Sequence, residues 1–353
     1  MKKRNGITVG VIIAAIILTA SIASYDYYRT FYSNNVAASE EMPPLKVYRS
    51  FSYDDLLKSF EEAGLLTDMK TFRRAAKHLE LAGSFKPGCY TFETVMSNKD
   101  IVRMLANGWQ KPVKITFQGY IRSLESFAAI LGKQFEADSA RFAEVLTNHE
   151  VMKNYGFEEE SFIGMFIPNT YEFFWTVTPE KFIERMQREY DSFWTEERKE
   201  KAESVGMTRK EVSTLAAIVI EETKHKPEMP TIAGVYINRL RKGIPLQADP
   251  TVKYALKQKG ITRVLNKHLK VDSPYNTYIH RGLPPGPITM PPVSAIDAVL
   301  NYQHHNYIYF CARETFDGQH NFASTLSGHM ANARAYHRAL NAREREKARS
   351  RTK

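Results

Sequence analysis

The sequence predicts an α+β fold with a single N-terminal transmembrane helix, a small subdomain and a larger, helix-rich α+β domain. Three observations lead to this prediction. An uncharged apolar run of 19 residues begins at Gly6. Strand-like and helical patterns alternate over residues 46–112. Beyond them, helical periodicity with capping signals prevails, interrupted by loops rich in proline and glycine. The 353 residues are enough for two or three domains.

The net charge of +10 at pH 7 indicates a basic surface, with part of the excess in Lys2–Arg4 and in the tail from Arg343 to Lys353. Such a surface suits an anionic membrane, an anionic polymer or nucleic acid. No zinc-finger spacing and no RNA-binding aromatic signature is present, which argues against nucleic acid as a partner. Cys89 and Cys311 are far apart in the sequence and offer no metal-binding motif. We expect two separate, mostly buried thiols unless the fold brings them together.

The apolar run from Gly6 to Ser24 is long enough to cross the hydrocarbon core of a bilayer as one helix. The basic residues before it predict a cytoplasmic N-terminus, and the tyrosines after it suit the membrane interface. A cleaved signal peptide is the alternative, because Ala20–Ser24 resembles a small-residue cleavage site. The run exceeds the usual signal core, which favours an uncleaved anchor. We therefore expect a cytoplasmic tail at 1–5, a transmembrane helix at 6–27, a tether at 28–45 and all later residues outside the cytoplasm.

Residues 46–112 are predicted to form the small subdomain. Gly64 and Gly108 end two of its predicted helices, because glycine readily adopts the left-handed conformation that follows many helix C-termini. Ser97 opens the second of these helices. The predicted elements are a strand within 45–51, helices at 53–63 and 67–81, a strand within 85–92 and a helix at 98–106.

Residues 113–342 are predicted to form the larger domain, followed by a basic tail at 343–353. A capping box at Thr208 and Glu211 starts its best-defined helix. Asp249, followed by proline, predicts the N-cap of a further helix. The predicted elements are a strand at 113–117, helices at 209–223, about 230–242 and 251–256, an ordered loop at 272–292 and a buried strand at 307–311.

The acidic pair Glu221-Glu222 closes the apolar helix at 209–223. Val219 and Ile218 lie three and four residues before Glu222, so this glutamate continues the apolar stripe of the helix. Glu221 is rotated by about 100° away from the stripe. A carboxyl at the edge of an apolar face holds its proton more tightly, and a protonated glutamate can act as a general acid. The alternative is a surface glutamate that only ends the helix.

Five motifs follow one another in the second half of the chain: IVIEET (218–223), GVYINRLRKGIPLQADPTVKYAL (234–256), SPYNTY (273–278), GLPPGPI (282–288) and HNFASTLSGH (320–329). Together they resemble the YceG-like, or MltG, family of membrane-anchored endolytic peptidoglycan transglycosylases. The resemblance covers almost everything after the expected tether. The segment from Lys86 to Tyr90 resembles part of the LysM-like subdomain that these enzymes carry.

This resemblance implies a bacterial lyase that cleaves the β-1,4 bond between MurNAc and GlcNAc within nascent glycan strands and so terminates their elongation. The MurNAc 6-hydroxyl would attack its own anomeric carbon and leave a 1,6-anhydro end, unlike the two-carboxylate hydrolase scheme. The catalytic glutamate of the family falls on Glu222, and neither a cofactor nor a metal is implied. The implied partners are peptidoglycan strands, the inner membrane and, as candidates, peptidoglycan synthases. The catalytic domain is expected on the periplasmic, extracytoplasmic side.

The chain departs from the family pattern at several positions. Ile220 stands where many relatives carry another glutamate, which implies that this earlier carboxylate is dispensable. Ile163 and Asn169 replace acidic residues, so an assisting catalytic role for their loop loses support. Residues 290–292, Met-Pro-Pro, replace an Asn-Pro-Gly sequence, which we interpret as loop drift.

Nine further residues are candidates for substrate binding, because sugar sites combine aromatic faces with hydrogen-bonding side chains. Arg239 suits a sugar or a peptide carboxylate, and equally a structural salt bridge. Asp249 equally suits a helix N-cap, and Thr251 suits packing. The nine candidates are Asn238, Arg239, Gln247, Asp249, Thr251, Tyr275, Asn276, Thr277 and Tyr278.

Two other functions are compatible with parts of the sequence. The lost acids leave room for a non-catalytic peptidoglycan-binding scaffold of the cell-wall synthesis machinery. The second alternative is a metal-dependent hydrolase. The spacing of the histidines fits no standard ligand pattern, which argues against it. These are His304, His305, His320 and His329.

Overall fold

The computed structural model of the chain describes residues 2–37, 42–257, 261 and 264–351. Met1 at the expected cytoplasmic tail, residues 38–41 of the expected tether and residues 352–353 of the expected basic tail lie outside the described residues. Helices and short two-stranded sheets alternate along the chain, which confirms the mixed α and β class.

The chain divides into two compact units. The expected boundary after residue 112 lies close to the observed one, but two later segments also join the smaller unit, and local sequence gave no sign of them. The first unit comprises Met1–Ile115, Gln134–Glu136 and Tyr171–Val177, and the second comprises Thr116–Lys133, Ala137–Thr170 and Thr178–Lys353.

The first unit contains α1 (Lys2–Phe31), β1 (Leu45–Val47), α2 (Tyr53–Ala63), α3 (Met69–His78), a 3₁₀ turn (Leu81–Gly83), β2 (Gly88–Tyr90) and α4 (Asn98–Asn107). Strands β1 and β2 pair antiparallel, with Leu45 opposite Tyr90. Apolar side chains from α2, α3 and α4 pack with those of the strands into one core. The order from β1 to β2 is thus strand, helix, helix, strand, as the sequence predicts.

Local sequence explains where α2 and α4 begin and end. Ser52 and Ser97 each form a capping box with the aspartate three residues later. Gly64 and Gly108 follow the two helices with φ of 60° and 69°, a conformation in which a side chain would be strained. These positions confirm the predicted helices to within one residue.

Helix α1 is long and apolar enough, from Ile7 to Phe31, to cross a membrane. Residues 28–37 of the expected tether pack within the first unit. Val36 is buried there, and Arg29 forms an ion pair with Asp68 at 3.2 Å. The last turn of α1 and the segment that follows it are therefore both in contact with other residues of the first unit.

A buried amide network joins this segment to α3 and α4. Asn98 is fully buried and donates to the main-chain oxygen of Thr30 at 2.9 Å and to Thr71 Oγ1 at 3.1 Å. Its Oδ1 accepts a hydrogen bond from Asn35 Nδ2 at 2.6 Å. All these groups are buried, so the Asn98 amide finds its partners within this network. Asn35 Nδ2 and Thr71 Oγ1 also donate to the main-chain oxygen of Asp68, at 3.0 Å and 2.9 Å.

The second unit contains α5 (Leu124–Leu131), α6 (Ser139–Leu146), α7 (His149–Asn154), α8 (Glu159–Phe162), α9 (Pro179–Phe193), α10 (Glu196–Val205), α11 (Arg209–Glu222), α12 (Met229–Arg241), α13 (Asp249–Ala255), α14 (Val293–Leu300), β5 (Tyr309–Ala312), β6 (His320–Ala323) and α15 (Leu326–Arg351). Strands β5 and β6 pair antiparallel, with Phe310 opposite Phe322. Strands β3 (Val113–Phe117) and β4 (Asn169–Phe173) pair with each other, and each contributes residues to both units.

Helix α11 forms the buried centre of the second unit. All residues from Val212 to Ile220 are buried, and the helix packs against α12 and α14. The predicted capping box between Thr208 and Glu211 is present at its start. The helix ends at Glu222 because Thr223 adopts an extended conformation, with φ −141° and ψ 140°. A helix surrounded by protein thus holds its last side chain in a fixed place.

Other details of the second unit differ from the sequence predictions. Asp249 is the first residue of α13, and Ala248 takes the N-cap position without a side-chain hydrogen bond, so the predicted N-cap is wrong. The predicted buried strand begins at Tyr309 and is only half-buried. The basic tail continues α15 as far as Arg351. Both cysteines are free.

We predict that Asn98→Ala lowers the free energy of unfolding by about 1–3 kcal/mol, because Asn35 and Thr71 lose a buried partner. Thermal and denaturant unfolding of the detergent-solubilised protein would measure the change. Asn107→Ala is the matched control, since Asn107 Nδ2 donates to the main-chain oxygen of Arg103 at the helix surface, at 2.8 Å, and its loss should cost less than about 0.5 kcal/mol. Equal effects of both variants would contradict the prediction.

Candidate functional site

The carboxyl of Glu222 lies at the C-terminus of α11. The hydroxyl of Tyr236, on α12, donates a hydrogen bond to Glu222 Oε1 at 2.7 Å. Burial of the carboxyl raises the pKa of Glu222 to about 7; the bond from Tyr236 opposes this rise, and the negative charge of Asp249 adds to it. The carbonyl end of a helix also disfavours a negative charge. Near neutral pH, both the protonated and the ionised form of Glu222 are therefore populated.

An open cleft of about 340 Å³ gives access to this carboxyl. One side is the end of α11, and the other is the segment between β3 and α5. Glu222 remains partly exposed although protein atoms crowd around it, which leaves one face for a reacting molecule. The cleft is lined by Tyr120, Arg122, Ile220, Glu221, Glu222, Thr223 and Lys224.

Glu221 also faces this cleft, which the helical stripe did not predict. Because α11 is buried on all sides, the side chain of Glu221 is only 13% exposed. Its Oε2 accepts a hydrogen bond from Arg122 Nη2 at 2.6 Å, whereas Oε1 is buried without a partner among the described residues. A buried acceptor left without a partner costs about 1–3 kcal/mol, so stability alone does not explain this arrangement.

Asp249 and Tyr278 influence Glu222 from α13 and from the loop that follows it. The Tyr278 hydroxyl donates a hydrogen bond to Asp249 Oδ1 at 2.7 Å. The Asp249 charge raises the pKa of Glu222, and the positive charge of Lys253 lowers it. Burial, followed by the bond to Asp249, raises the pKa of Tyr278, so its hydroxyl remains a donor. The structure therefore brings together Glu222 and these two predicted site residues.

The side chains of Arg239 and Asn238 donate hydrogen bonds to main-chain oxygens within the protein. Arg239 is 8% exposed and donates to the main-chain oxygens of Ile308 at 2.6 Å and Leu246 at 2.8 Å. Asn238 Nδ2 donates to the main-chain oxygen of His305 at 2.7 Å. A substrate-binding role for either residue stays a prediction. The partners are carbonyl groups of neighbouring loops, which these side chains hold against α12.

Thr251, Asn276 and Thr277 are also buried. The hydroxyls of Thr251 and Thr277 lie 2.9 Å apart, and Thr277 Oγ1 accepts the N–H of Ala248 at 3.0 Å. Asn276 Nδ2 donates to the main-chain oxygen of Val271 at 2.8 Å. All three are essentially inaccessible to solvent, and their expected contact with sugar stays a prediction. They fix the loop that carries Tyr278.

The last two candidates lie nearer the surface. Gln247 is exposed and has a left-handed backbone with φ of 52°, and its N–H donates to the main-chain oxygen of Thr277 at 3.0 Å. The ring of Tyr275 is partly buried and lies 4.7 Å from the ring of Tyr254. A substrate-binding role for either residue stays a prediction.

Sequence reasoning missed the wall formed by Tyr120 and Arg122. Tyr120 is 47% exposed, and its main-chain N–H donates to the main-chain oxygen of Met290 at 3.2 Å. Gly119 permits this approach, because a Cβ there would lie 3.1 Å from the same oxygen and 3.1 Å from Pro292. A Gly-Tyr-x-Arg sequence just after a predicted strand was the available signal. This signal was missed because the Gly-Tyr-x-Arg sequence is far from Glu222 along the chain.

His320 and His305 have hydrogen-bond partners within the protein, whereas His329 Nδ1 is buried without one among the described residues. His320 Nδ1 lies 2.8 Å from Glu228 Oε2, and His305 Nε2 lies 2.9 Å from the main-chain oxygen of Thr231. Within the ranges that the structure describes, no group of three or more His, Cys, Asp and Glu side chains is arranged to hold a metal ion.

Comparison with known proteins gives consistent matches. The model of the YceG-like family matches residues 45–335. A protein named endolytic murein transglycosylase from Bacillus subtilis (strain 168) is 37% identical over 189 residues, which are 53% of this chain and 51% of the relative. One of the same name from Streptococcus pneumoniae (strain ATCC BAA-255 / R6) is 28% identical over 314 residues, or 78% of this chain and 54% of the relative. The chain thus spans about half the length of these curated relatives.

A solved structure is also similar. The crystal structure of a yceG-like protein from Listeria monocytogenes is 27% identical, with a TM-score of 0.55. The match covers 83% of this chain and 99% of that one. The similarity therefore extends over most of the fold.

We predict that Tyr236→Phe raises the pKa of Glu222 above its value of about 7, because the lost hydrogen bond stabilises the ionised carboxyl. The ¹³C chemical shift of the glutamate carboxyl, followed through a pH titration, would measure it. Tyr302→Phe is the control, since the Tyr302 hydroxyl accepts its bond from Arg241 at 2.9 Å. A downward shift, or the same shift in both variants, would show that Tyr236 does not govern this carboxyl.

Proposed function

The chain belongs to the YceG-like family, and on that premise we propose that it is an endolytic murein transglycosylase. It cleaves the MurNAc–GlcNAc β-1,4 bond within nascent glycan strands and leaves a 1,6-anhydroMurNAc end. One observation carries this proposal: Glu222, with a pKa of about 7, lies at an open cleft. The names of the relatives support it, because they describe the same activity.

Glu222 acts first as the acid and then as the base. Its Oε1 is occupied by the hydroxyl of Tyr236, so Oε2 carries the proton and gives it to the glycosidic oxygen as the bond to the anomeric carbon breaks. GlcNAc leaves with a free 4-hydroxyl. The MurNAc 6-oxygen bonds to the same anomeric carbon, and its proton returns to the carboxylate. No water is consumed, and one carboxyl serves both steps because its pKa is near neutral.

Asp249 and Tyr278 assist as a charged pair beside the acid. The Asp249 carboxylate favours the positive charge that develops at the anomeric carbon. Tyr278 fixes that carboxylate by donating to Oδ1 at 2.7 Å. A non-catalytic scaffold would need no buried carboxyl with a raised pKa. Burying such a group lowers the stability of the fold, and its chief use is proton transfer.

Helix α1 anchors the protein in the inner membrane, with the N-terminus in the cytoplasm and the catalytic unit on the periplasmic, extracytoplasmic side. The length and apolar character of Ile7–Phe31 and the basic residues before it support this topology. The first unit is LysM-like, which its strand–helix–helix–strand order supports, and it guides the enzyme to glycan. Nascent strands and the synthases that make them are then its partners.

We predict that Glu222→Gln lowers the rate of strand cleavage by roughly 10²–10⁴-fold, because glutamine keeps the shape but cannot transfer a proton. Purified protein would be incubated with polymerised glycan strands, and the ends identified by mass spectrometry. Wild-type products should carry 1,6-anhydro ends. Wild-type activity should fall as the pH rises above about 7, where the acid loses its proton.

Glu196→Gln is the matched control for this test, since its side chain is 83% exposed on α10. It should cleave at the wild-type rate. Reducing ends in place of anhydro ends would mean that water attacks and that the proposed reaction is wrong. Undiminished cleavage by Glu222→Gln would remove Glu222 from the chemistry.

We predict that a reporter enzyme fused after Pro44 is active only outside the cytoplasm, because the basic residues before α1 retain the N-terminus inside. Paired reporters that function on opposite sides of the membrane would measure this. A fusion after Arg4, before the apolar segment, serves as the cytoplasmic control. Cytoplasmic activity of the fusion after Pro44 would reverse the topology.

A further inference from the structure

The rim of the cleft carries a guanidinium group that the reaction itself does not require. Arg122 is 59% exposed, and of its nitrogens Nη2 is engaged, with Glu221 Oε2 at 2.6 Å. Nε and Nη1 have no partner within the described part of the chain. Because Glu221 is largely buried and lies next to Glu222 on α11, it fixes Arg122 at the rim without covering it.

A second cation belongs to the same rim. Lys224, two residues after Glu222, is exposed and lines the cleft. While Glu222 is protonated, the cleft lining carries the positive charges of Arg122 and Lys224 and the negative charge of Glu221. The rim is therefore net positive in the form of the enzyme that is ready to act as an acid. Such a rim attracts an anionic group of the substrate.

We propose that Arg122 and Lys224 form a subsite for a carboxylate of the peptide stem carried by the MurNAc at the cleavage point. This rests on the proposed function. The hydroxyl and acetamide groups of the glycan are uncharged, so the stem supplies the anions. The stem is attached to the same sugar whose anomeric carbon must reach Glu222. An arginine with free donors binds a carboxylate directionally, and a lysine beside it adds a point charge.

The subsite makes the enzyme selective for strands whose stems keep free carboxylates. The contact is made to the stem and not to the reacting atoms, so we expect it to be equally strong in the ground state and the transition state. It therefore lowers KM and leaves kcat unchanged. Glu221 is a positioning residue here, since it acts on the substrate only through Arg122.

The test compares strands polymerised from precursors with free stem carboxylates and strands from precursors whose stem carboxylates are amidated. For the wild type, KM should be about 10-fold lower on the free-carboxylate strands. Arg122→Gln should raise KM about 10-fold on these strands, leave KM on amidated strands unchanged and keep kcat. Lys224→Gln should act in the same direction. Arg188→Gln is the control, since Arg188 is 61% exposed and bonds Glu184 at 2.8 Å on α9.

Binding separates this proposal from the proposed reaction. Calorimetry with the Glu222→Gln variant and short stem-bearing glycan fragments measures affinity without cleavage. Tighter binding of the free-carboxylate fragment, abolished by adding Arg122→Gln, supports the subsite even if the products refute the transglycosylase reaction. Equal affinity for free and amidated fragments, or an equal loss on both after Arg122→Gln, overturns the subsite even if Glu222 proves to be the acid.

Discussion

The confinement of one carboxyl at the end of a fully buried helix is the constraint on which the rest of the site depends. Helix α11 is enclosed from Val212 to Ile220, so Glu222 cannot move away from its surroundings. Burial raises its pKa to about 7, and the hydrogen bond from Tyr236 limits that rise. The two effects together place the group where it can both give and take a proton. The same confinement directs Glu221 into the cleft.

The polar residues around this helix divide into two groups. One group touches Glu222 or the cleft, as Tyr236 and Arg122 do. The other holds main-chain segments in place from within, as Arg239 does for the oxygens of Ile308 and Leu246. A buried guanidinium must satisfy several donors, and loop carbonyls supply the acceptors. Some residues of the sequence motifs therefore stabilise, from within the protein, the loops that form the site.

Close backbone contacts impose a further requirement on this architecture. At Gly234, in the motif that also holds Tyr236, a Cβ would lie 2.5 Å from the main-chain oxygen of Gln303. Helix α12 can therefore approach that segment only without a side chain at this position. The same helix packs against α14 and α11, and its Tyr236 reaches Glu222.

Sequence alone determined what depends on neighbours along the chain. The caps at Ser52, Ser97 and Thr208 and the helix ends at Gly64 and Gly108 follow from local hydrogen bonding and backbone freedom, and Glu222 stood out at the end of an apolar helix. Only the tertiary structure decided which side chains surround that carboxyl, because such contacts join residues distant in the sequence. Periodicity describes one face of one helix; it cannot show that a helix is enclosed on every side, or that a loop a hundred residues earlier completes the cleft.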